Sequence, residues 1–118
     1  MYHLRFLSLF ILLFFSCHRK QDTTPLKFDK TKWLIQEEKK YPYRNRMLKD
    51  LLDHQKLHGL KKAQVIDLLG QPNRTDTGYL FYTVDQKFFA NTTFPLHVKT
   101  LVIKFGKDSL VEWRKIHE

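Results

Sequence analysis

The segment Gly59–Pro72 reads GLKKAQVIDLLGQP and decides how the rest of the chain is interpreted. Gly59 and Gly70 bracket the ten residues Leu60–Leu69, and Pro72 follows. A glycine just past a helix end adopts a left-handed backbone without side-chain cost, and proline cannot continue a helix. The two glycines and the proline therefore predict a short helix that ends sharply.

The predicted helix carries its apolar side chains on one stripe. Val65, Ile66 and Leu69 recur at helical spacing, and Leu68 lies on their flank. A helix of this length is marginal alone and needs a surface for that stripe. We expect the strand-rich C-terminal half to supply the surface, which predicts one small α+β domain.

Two helical segments precede this one. Asp29 is placed to cap a helix over Lys30–Lys40, which Tyr41-Pro42 interrupts. A longer helix is predicted over Tyr43–Leu57, with most of its charged residues, Arg44 among them, away from the apolar face. That apolar face contains Met47, Leu48, Leu51 and Leu52.

After Pro72 the apolar pattern changes to a period of two, which is typical of strands. Strands are predicted over Tyr79–Val84, Val98–Phe105 and Leu110–Ile116, the last two joined by a tight turn. In the last strand, alternation places Val111 and Trp113 on the same face. The predicted fold is a helical hairpin packed on a three-stranded antiparallel sheet, with the other sheet face open to solvent or a partner.

The predicted connection Asp85–Leu96 is long for a hairpin and contains Phe88, Phe89 and Phe94. Long loops are often functional, and three exposed phenylalanines would form an unusual apolar patch. These residues are therefore the candidate partner-binding site. The alternative is that at least one of them folds over the sheet edge.

The N-terminus resembles an export signal. Arg5 precedes an apolar run over Phe6–Phe15, shorter than the roughly 20 residues that span a bilayer and within the roughly 7–15 typical of a signal-peptide core. The run ends in Ser16-Cys17. We predict that residues 1–16 form a signal peptide.

The Leu13–Cys17 run resembles the lipobox of bacterial lipoproteins, in which the cysteine becomes the lipidated first residue of the mature chain. Phe14 stands where that box usually has leucine. The predicted organisation is a signal peptide (1–16), a lipidated Cys17 with a flexible tether (17–28), and one α+β domain (29–118). The alternatives are an uncleaved anchor or cleavage at another position.

The chain of 118 residues has a formal charge of +9, which becomes +8 once residues 1–16 and Arg5 are removed. An exported protein does not meet cellular nucleic acid, so we expect no nucleic-acid partner. The basic residues His18-Arg19-Lys20 follow the cysteine and suit an anionic membrane surface, or they serve only to solubilise the tether. The expected partners are the membrane, through Cys17, and an envelope protein.

The order of these features resembles the BamE/SmpA/OmlA-like small lipoproteins of Gram-negative envelopes. The resemblance rests on Cys17, the Gly59-Leu60, Val65, Leu69-Gly70 and Pro72 pattern, the aromatic Tyr79–Tyr82 strand and the final hairpin. It implies a two-helix, three-stranded fold on the periplasmic side of the outer membrane, and an accessory role in β-barrel protein assembly. Lys61 stands where the family often has a capping threonine or serine, and Asp29–Lys40 has no counterpart in its short members.

Two chemical hypotheses compete with a pure binding role. Asp50, His54 and His58 are spaced to share a helical stripe, which would be a minimal metal site, although residues shielding the core are the ordinary interpretation. An enzyme would have to draw its acid–base groups from His97, His117 and Glu112, which no spacing pairs. Because no catalytic or cofactor motif is present, we predict a non-enzymatic, cofactor-free and metal-free binding or scaffold protein. The alternative is an inhibitor-like or ligand-binding lipoprotein that uses the open sheet face and the Phe88/Phe89 loop.

Overall fold

A computed structural model describes residues 22–118 of the chain. The predicted signal peptide, Cys17 and the first residues of the predicted tether lie outside the described residues. The described part contains three helices and four strands. In chain order they are α1 (Lys30–Leu34), α2 (Arg44–His54), α3 (Lys62–Leu69), β1 (Arg74–Asp76), β2 (Tyr79–Phe88), β3 (Pro95–Phe105) and β4 (Val111–His117).

The strands form one antiparallel sheet in the order β1-β2-β3-β4. The predicted α+β class is confirmed, and the sheet has four strands where three were expected. The additional strand, β1, pairs its three residues with the start of β2 across a tight turn at Gly78, whose φ is 76°. All three β1 residues are polar and exposed, so the strand has no apolar alternation by which to recognise it.

The hydrophobic core lies between the helices and one face of the sheet. Val65 and Leu69 of α3 are fully buried, as the stripe predicted, and Ile66 and Leu68 pack beside them. α2 lies against β2, and α1 lies against both other helices. The sheet side of the core consists of Leu80, Tyr82, Val84, Leu101, Ile103 and Val111.

α1 is shorter than the predicted Lys30–Lys40. Asp29 caps it as predicted, since its carboxylate accepts hydrogen bonds from the backbone N–H groups of Thr31 and Lys32, at 2.9 and 3.4 Å. The helix ends at Leu34, and a tight turn at Glu37–Lys40 closes with reciprocal backbone bonds of 2.9 Å. The predicted helical segment is therefore one helical turn followed by a separate loop.

The two ends of α3 are built differently. Lys61 supplies no side-chain cap, as its chemistry predicted; instead its own N–H donates to Gln64 Oε1 at 2.8 Å. Gly70 ends the helix with φ 79° and ψ −172°. This is an extended, glycine-specific conformation and not the left-handed helical one that was predicted.

A β-bulge changes the face assignment in β4. The register shifts between Lys104 and Phe105, so that Lys104 pairs with Trp113 whereas Phe105 pairs with Val111. The inserted residue, Glu112, reverses the alternation. Val111 is therefore buried while Trp113 is exposed on the opposite face, and the prediction that they share a face is wrong.

The segment before α1 is bound to α2 from Asp22 onward. Arg46 donates to the backbone carbonyl of Thr24 at 2.9 Å and pairs with Asp22 at 3.1 Å. Leu26 N–H donates to the Arg46 carbonyl at 2.9 Å, and Phe28 N–H donates to Asp50 Oδ2 at 2.7 Å. Residues 22–28 have no regular secondary structure, yet they follow the surface of α2.

Candidate functional site

The sheet face turned away from the helices is the first candidate site. We call it the outer face, and its pairing rows are fixed by the register of β1 to β4. A shallow groove of about 580 Å³ lies on it. The face consists of Arg74, Asp76, Tyr79, Phe81, Thr83, Thr100, Val102, Lys104, Trp113, Lys115 and His117.

Aromatic side chains cover the middle of the outer face. The Tyr79 and Phe81 rings stack with centroids 6.0 Å apart, and Tyr79 meets Trp113 edge-on at 6.1 Å. None of these three rings is fully buried, and Trp113 is 37% exposed. No helix of the described chain packs on this face, so the rings form an open, rigid apolar surface.

Cations lie over these rings. The Arg74 guanidinium is 4.1 Å from the Phe81 centroid, and Lys104 Nζ is 5.9 Å from that of Trp113. Lys104 also forms an ion pair with Glu112 at 3.7 Å, and Lys115 is exposed nearby. The outer face thus offers aromatic rings for stacking together with positive charge, which favours a partner with apolar and acidic groups.

The second candidate site is the end of the β2–β3 hairpin. Half of the predicted loop Asp85–Leu96 is strand, because β2 continues to Phe88 and β3 begins at Pro95. Only residues 89–94 form the turn, closed by a hydrogen bond of 2.9 Å from Phe89 N–H to the Phe94 carbonyl. The hairpin arms were missed because the segment lacks regular apolar alternation.

Two of the three predicted phenylalanines are exposed. Phe89 is 57% and Phe94 67% exposed, and Leu96, in a strand irregularity beside them, is 61% exposed. Phe88 is half-buried, with Lys40 Nζ 5.7 Å from its ring centroid. We call Phe89, Phe94 and Leu96 the hairpin tip.

Arg44 forms a buried cationic centre that the sequence analysis missed. Its side chain is 2% exposed, although the helical wheel had placed it on the polar side of α2. Nε donates to the Trp33 carbonyl at 2.9 Å, and Nη1 donates to the Thr83 carbonyl at 2.8 Å and to Asn73 Oδ1 at 3.1 Å. The guanidinium also lies 3.5 Å from the Tyr41 ring centroid.

No carboxylate of residues 22–118 forms an ion pair with Arg44. Burial lowers its pKa to about 10, and the neighbouring Tyr41 and Tyr82 partly oppose that shift. Burial likewise raises the pKa of Tyr82 to about 12, and Arg44 partly opposes it. The hydrogen-bond partners of Arg44 come from α1, the loop after α3 and β2, and the Tyr41 ring comes from the loop before α2. This centre therefore joins layers of the fold and does not face a ligand.

The three residues considered for a metal site do not share a helical stripe. α2 ends at His54, so His58 falls in the following loop, near the β3–β4 turn. His54 Nδ1 is 2.8 Å from Asp50 Oδ1, while the other Asp50 oxygen accepts the Phe28 N–H. Within residues 22–118, no three His, Cys, Asp or Glu side chains come close enough to hold a metal ion.

The residues considered for acid–base catalysis are also separated. His97 Nε2 lies 3.8 Å from Glu118, His117 pairs with Thr100 on the outer face, and Glu112 is at the other end of β4 beside Lys104. The fold does not bring these three side chains together.

In the described part of the chain, no helix combines the length and the apolar character that crossing a bilayer requires. Comparisons of the chain with protein-family profiles, with curated proteins and with solved structures returned no significant match.

Proposed function

We propose that this chain is a lipid-anchored, non-enzymatic binding or scaffold protein of the bacterial envelope, with the outer face of its sheet as the partner-binding surface. The anchor would be Cys17, and the location would be the outer membrane, facing the periplasm. No cofactor, metal or nucleic acid enters the proposed function.

The observation that carries the binding role is the open aromatic surface on the outer face. Tyr79, Phe81 and Trp113 contact one another on rigid strands, and Arg74 and Lys104 lie over two of the rings. Aromatic residues and arginine are enriched at protein interfaces, where fixed geometry lowers the entropic cost of binding. A protein partner with acidic and apolar side chains fits this surface.

The specific form of the proposal is an accessory role in outer-membrane β-barrel assembly. It is supported by the resemblance of the Cys17, Gly59, Val65, Gly70 and Pro72 pattern to the BamE/SmpA/OmlA-like lipoproteins. It is also supported by the helix-on-antiparallel-sheet architecture, although one fold serves many functions.

A pull-down of the tagged mature chain from detergent extracts of its native envelope tests this proposal. We expect recovery of a β-barrel assembly subunit, and at least a tenfold loss of that recovery in the Phe81→Ser/Trp113→Ser double variant, because interface aromatics are frequent hot spots. Lys49→Ala, which changes an exposed side chain of α2 away from the outer face, is the control. A pull-down that recovers no assembly subunit would contradict the assembly role. Full recovery of the partner by the double variant would contradict the outer face as the binding surface.

The second candidate function is that of an inhibitor-like or ligand-binding lipoprotein. The groove of about 580 Å³ on the outer face favours it, since its volume lies within the range of small-ligand sites. The sequence pattern also assigns Phe88 and Phe89 to partner capture in this hypothesis. Because Phe88 is half-buried under Lys40, Phe89→Ser/Phe94→Ser is the sharper variant, and it should abolish capture while leaving thermal unfolding unchanged.

The anchor has its own test. Cys17→Ser should move the full-length chain from the membrane fraction to the soluble fraction, because the proposed lipid attachment requires the thiol. An unchanged membrane fraction would contradict lipid anchoring at Cys17.

A further inference from the structure

The hairpin tip lies at the end of the domain where the chain enters. Lys99 Nζ donates to Asn45 Oδ1 at 2.9 Å, which joins β3 to the first turn of α2. Arg46, in the same turn, holds Asp22 at 3.1 Å. Asp22 and Lys87 line one cleft, of about 630 Å³. The first described residue and the base of the hairpin are therefore neighbours.

The length of the remaining tether limits how far the domain can stand from its proposed anchor. Five residue steps separate Cys17 from Asp22, which span at most about 17 Å. The hairpin extends four residues beyond Asp85, about 13 Å at strand rise, before reaching Phe89. The tether and the projecting hairpin have similar reach. A lipid on Cys17 and the hairpin tip can therefore both reach the same membrane surface.

The chemistry of the tip suits a lipid surface more than an acidic or basic partner. Phe89, Phe94 and Leu96 are all more than half exposed. The charged groups around the base of the hairpin are mixed in sign and lie close to one another, so neither sign dominates the surface. They are Lys40, Lys87 and Lys99 against Glu37, Glu38, Asp85 and Glu118, beside the ion pair of Arg46 with Asp22.

We propose that the hairpin tip inserts into the outer part of the same bilayer that holds the Cys17 lipid, and so fixes the orientation of the domain. This inference rests on the proposed lipid anchor. The tip aromatics enter the boundary between headgroups and acyl chains, as in other peripheral membrane contacts. The outer face and its groove are then carried at a fixed angle to the membrane.

Tryptophan quenching by brominated phosphatidylcholine tests the proposal. The full-length gene is expressed in a bacterial host that processes lipoproteins, and the chain is reconstituted into vesicles with and without bromine on the acyl chains. The reporter is Phe94→Trp, and the matched control is Lys107→Trp in the β3–β4 turn. The control site lies at the opposite end of β3, an eleven-residue strand about 36 Å long. The unsubstituted chain gives the emission of Trp33 and Trp113.

We expect the indole introduced by Phe94→Trp to lose about half of its added emission on bromination, because an inserted tip reaches roughly 5–10 Å into the interface. The indole introduced by Lys107→Trp should lose none. Equal quenching at both sites, or no quenching at position 94 in chains that float with the vesicles, would overturn the proposal while leaving the anchor intact. A chain that does not float would contradict the Cys17 anchor, and this proposal with it.

Discussion

Arg44 brings a positive charge into the interior of the protein without an acidic partner among residues 22–118. It is held by two backbone carbonyls, by the Asn73 amide oxygen and by the Tyr41 ring. Buried charges ordinarily need such partners, and removing the cation leaves its acceptors unsatisfied. The burial of Arg44 could not be predicted from α2 alone, because its hydrogen-bond acceptors belong to residues 33, 73 and 83, outside that helix.

Arg44→Met should lower the free energy of unfolding by about 3 kcal/mol, since it keeps much of the side-chain volume but leaves the carbonyls of Trp33 and Thr83 without this donor. Lys49→Met, on the same helix with a side chain 82% exposed, is the matched control and should leave the free energy of unfolding nearly unchanged. Urea denaturation of the two variants measures both values. Equal, small losses would contradict a structural role for the buried cation.

The raised pKa of Tyr82 predicts that the stability of the protein changes at alkaline pH. Burial raises its pKa to about 12 in the folded protein, against 10.0 for the free side chain. The unfolded chain therefore releases the proton first, so stability is complete below pH 10 and falls as the pH rises toward 12. The lowered pKa of Arg44 acts in the opposite sense over the same range, so a variant is needed to separate the two.

Between pH 9.5 and 12, the free energy of unfolding of Tyr82→Phe should fall less than that of the unsubstituted chain. The difference from the unsubstituted chain across that interval should be about 2 kcal/mol. Urea titrations at several pH values measure it. Parallel pH profiles for the two proteins would show that the Tyr82 hydroxyl does not titrate differently on folding.

At the scale of the elements, the two glycines that flank α3 differ in the space that their surroundings leave for a side chain. Gly70 has φ 79° and ψ −172°, and an added Cβ would overlap Leu34 Cδ2. Gly59 has φ 82°, but a Cβ there would meet nothing within 4 Å. Both glycines were identified from the sequence as the boundaries of the helix. Their unequal surroundings depend on where α1 packs, which the sequence pattern does not reveal.

Gly70→Ala should therefore destabilise the protein by about 2–3 kcal/mol, chiefly through backbone strain, because the Leu34 methyl that the new Cβ would meet is the flexible end of an exposed side chain. Gly59→Ala should cost about 1 kcal/mol, from the positive φ alone. Thermal and urea unfolding of the pair give the comparison. A larger loss for Gly59→Ala would contradict the extended, glycine-specific backbone of Gly70 at the end of α3.

The predictable elements were those with apolar periodicity. Val65 and Leu69 of α3, Leu48 and Leu51 of α2, and Leu101 and Ile103 of β3 all lie in the core as their spacing indicated. Three features could not be predicted from the sequence pattern. They are β1, whose three residues are polar, the hairpin arms, which pair through their backbones, and the bulge at Glu112. Backbone pairing needs no apolar pattern, so these features leave little trace in the sequence.

At the scale of the whole molecule, the two candidate surfaces point to different partners. The outer face presents stacked rings with cations over them, and the hairpin tip presents apolar groups beside the chain entry. The individual phenylalanines of the tip were identified from the sequence. Their position beside Asp22 follows only from the docking of residues 22–28 along α2, where a free tether had been predicted.

The anchoring of the chain is tested most directly by the intact mass of the protein purified from bacterial membranes. The proposed function predicts a mature chain that begins at Cys17 and carries the added mass of a diacylglyceryl group, with or without an N-acyl chain. An unmodified cysteine, a retained segment 1–16, or cleavage at another residue would contradict a lipid-anchored envelope protein.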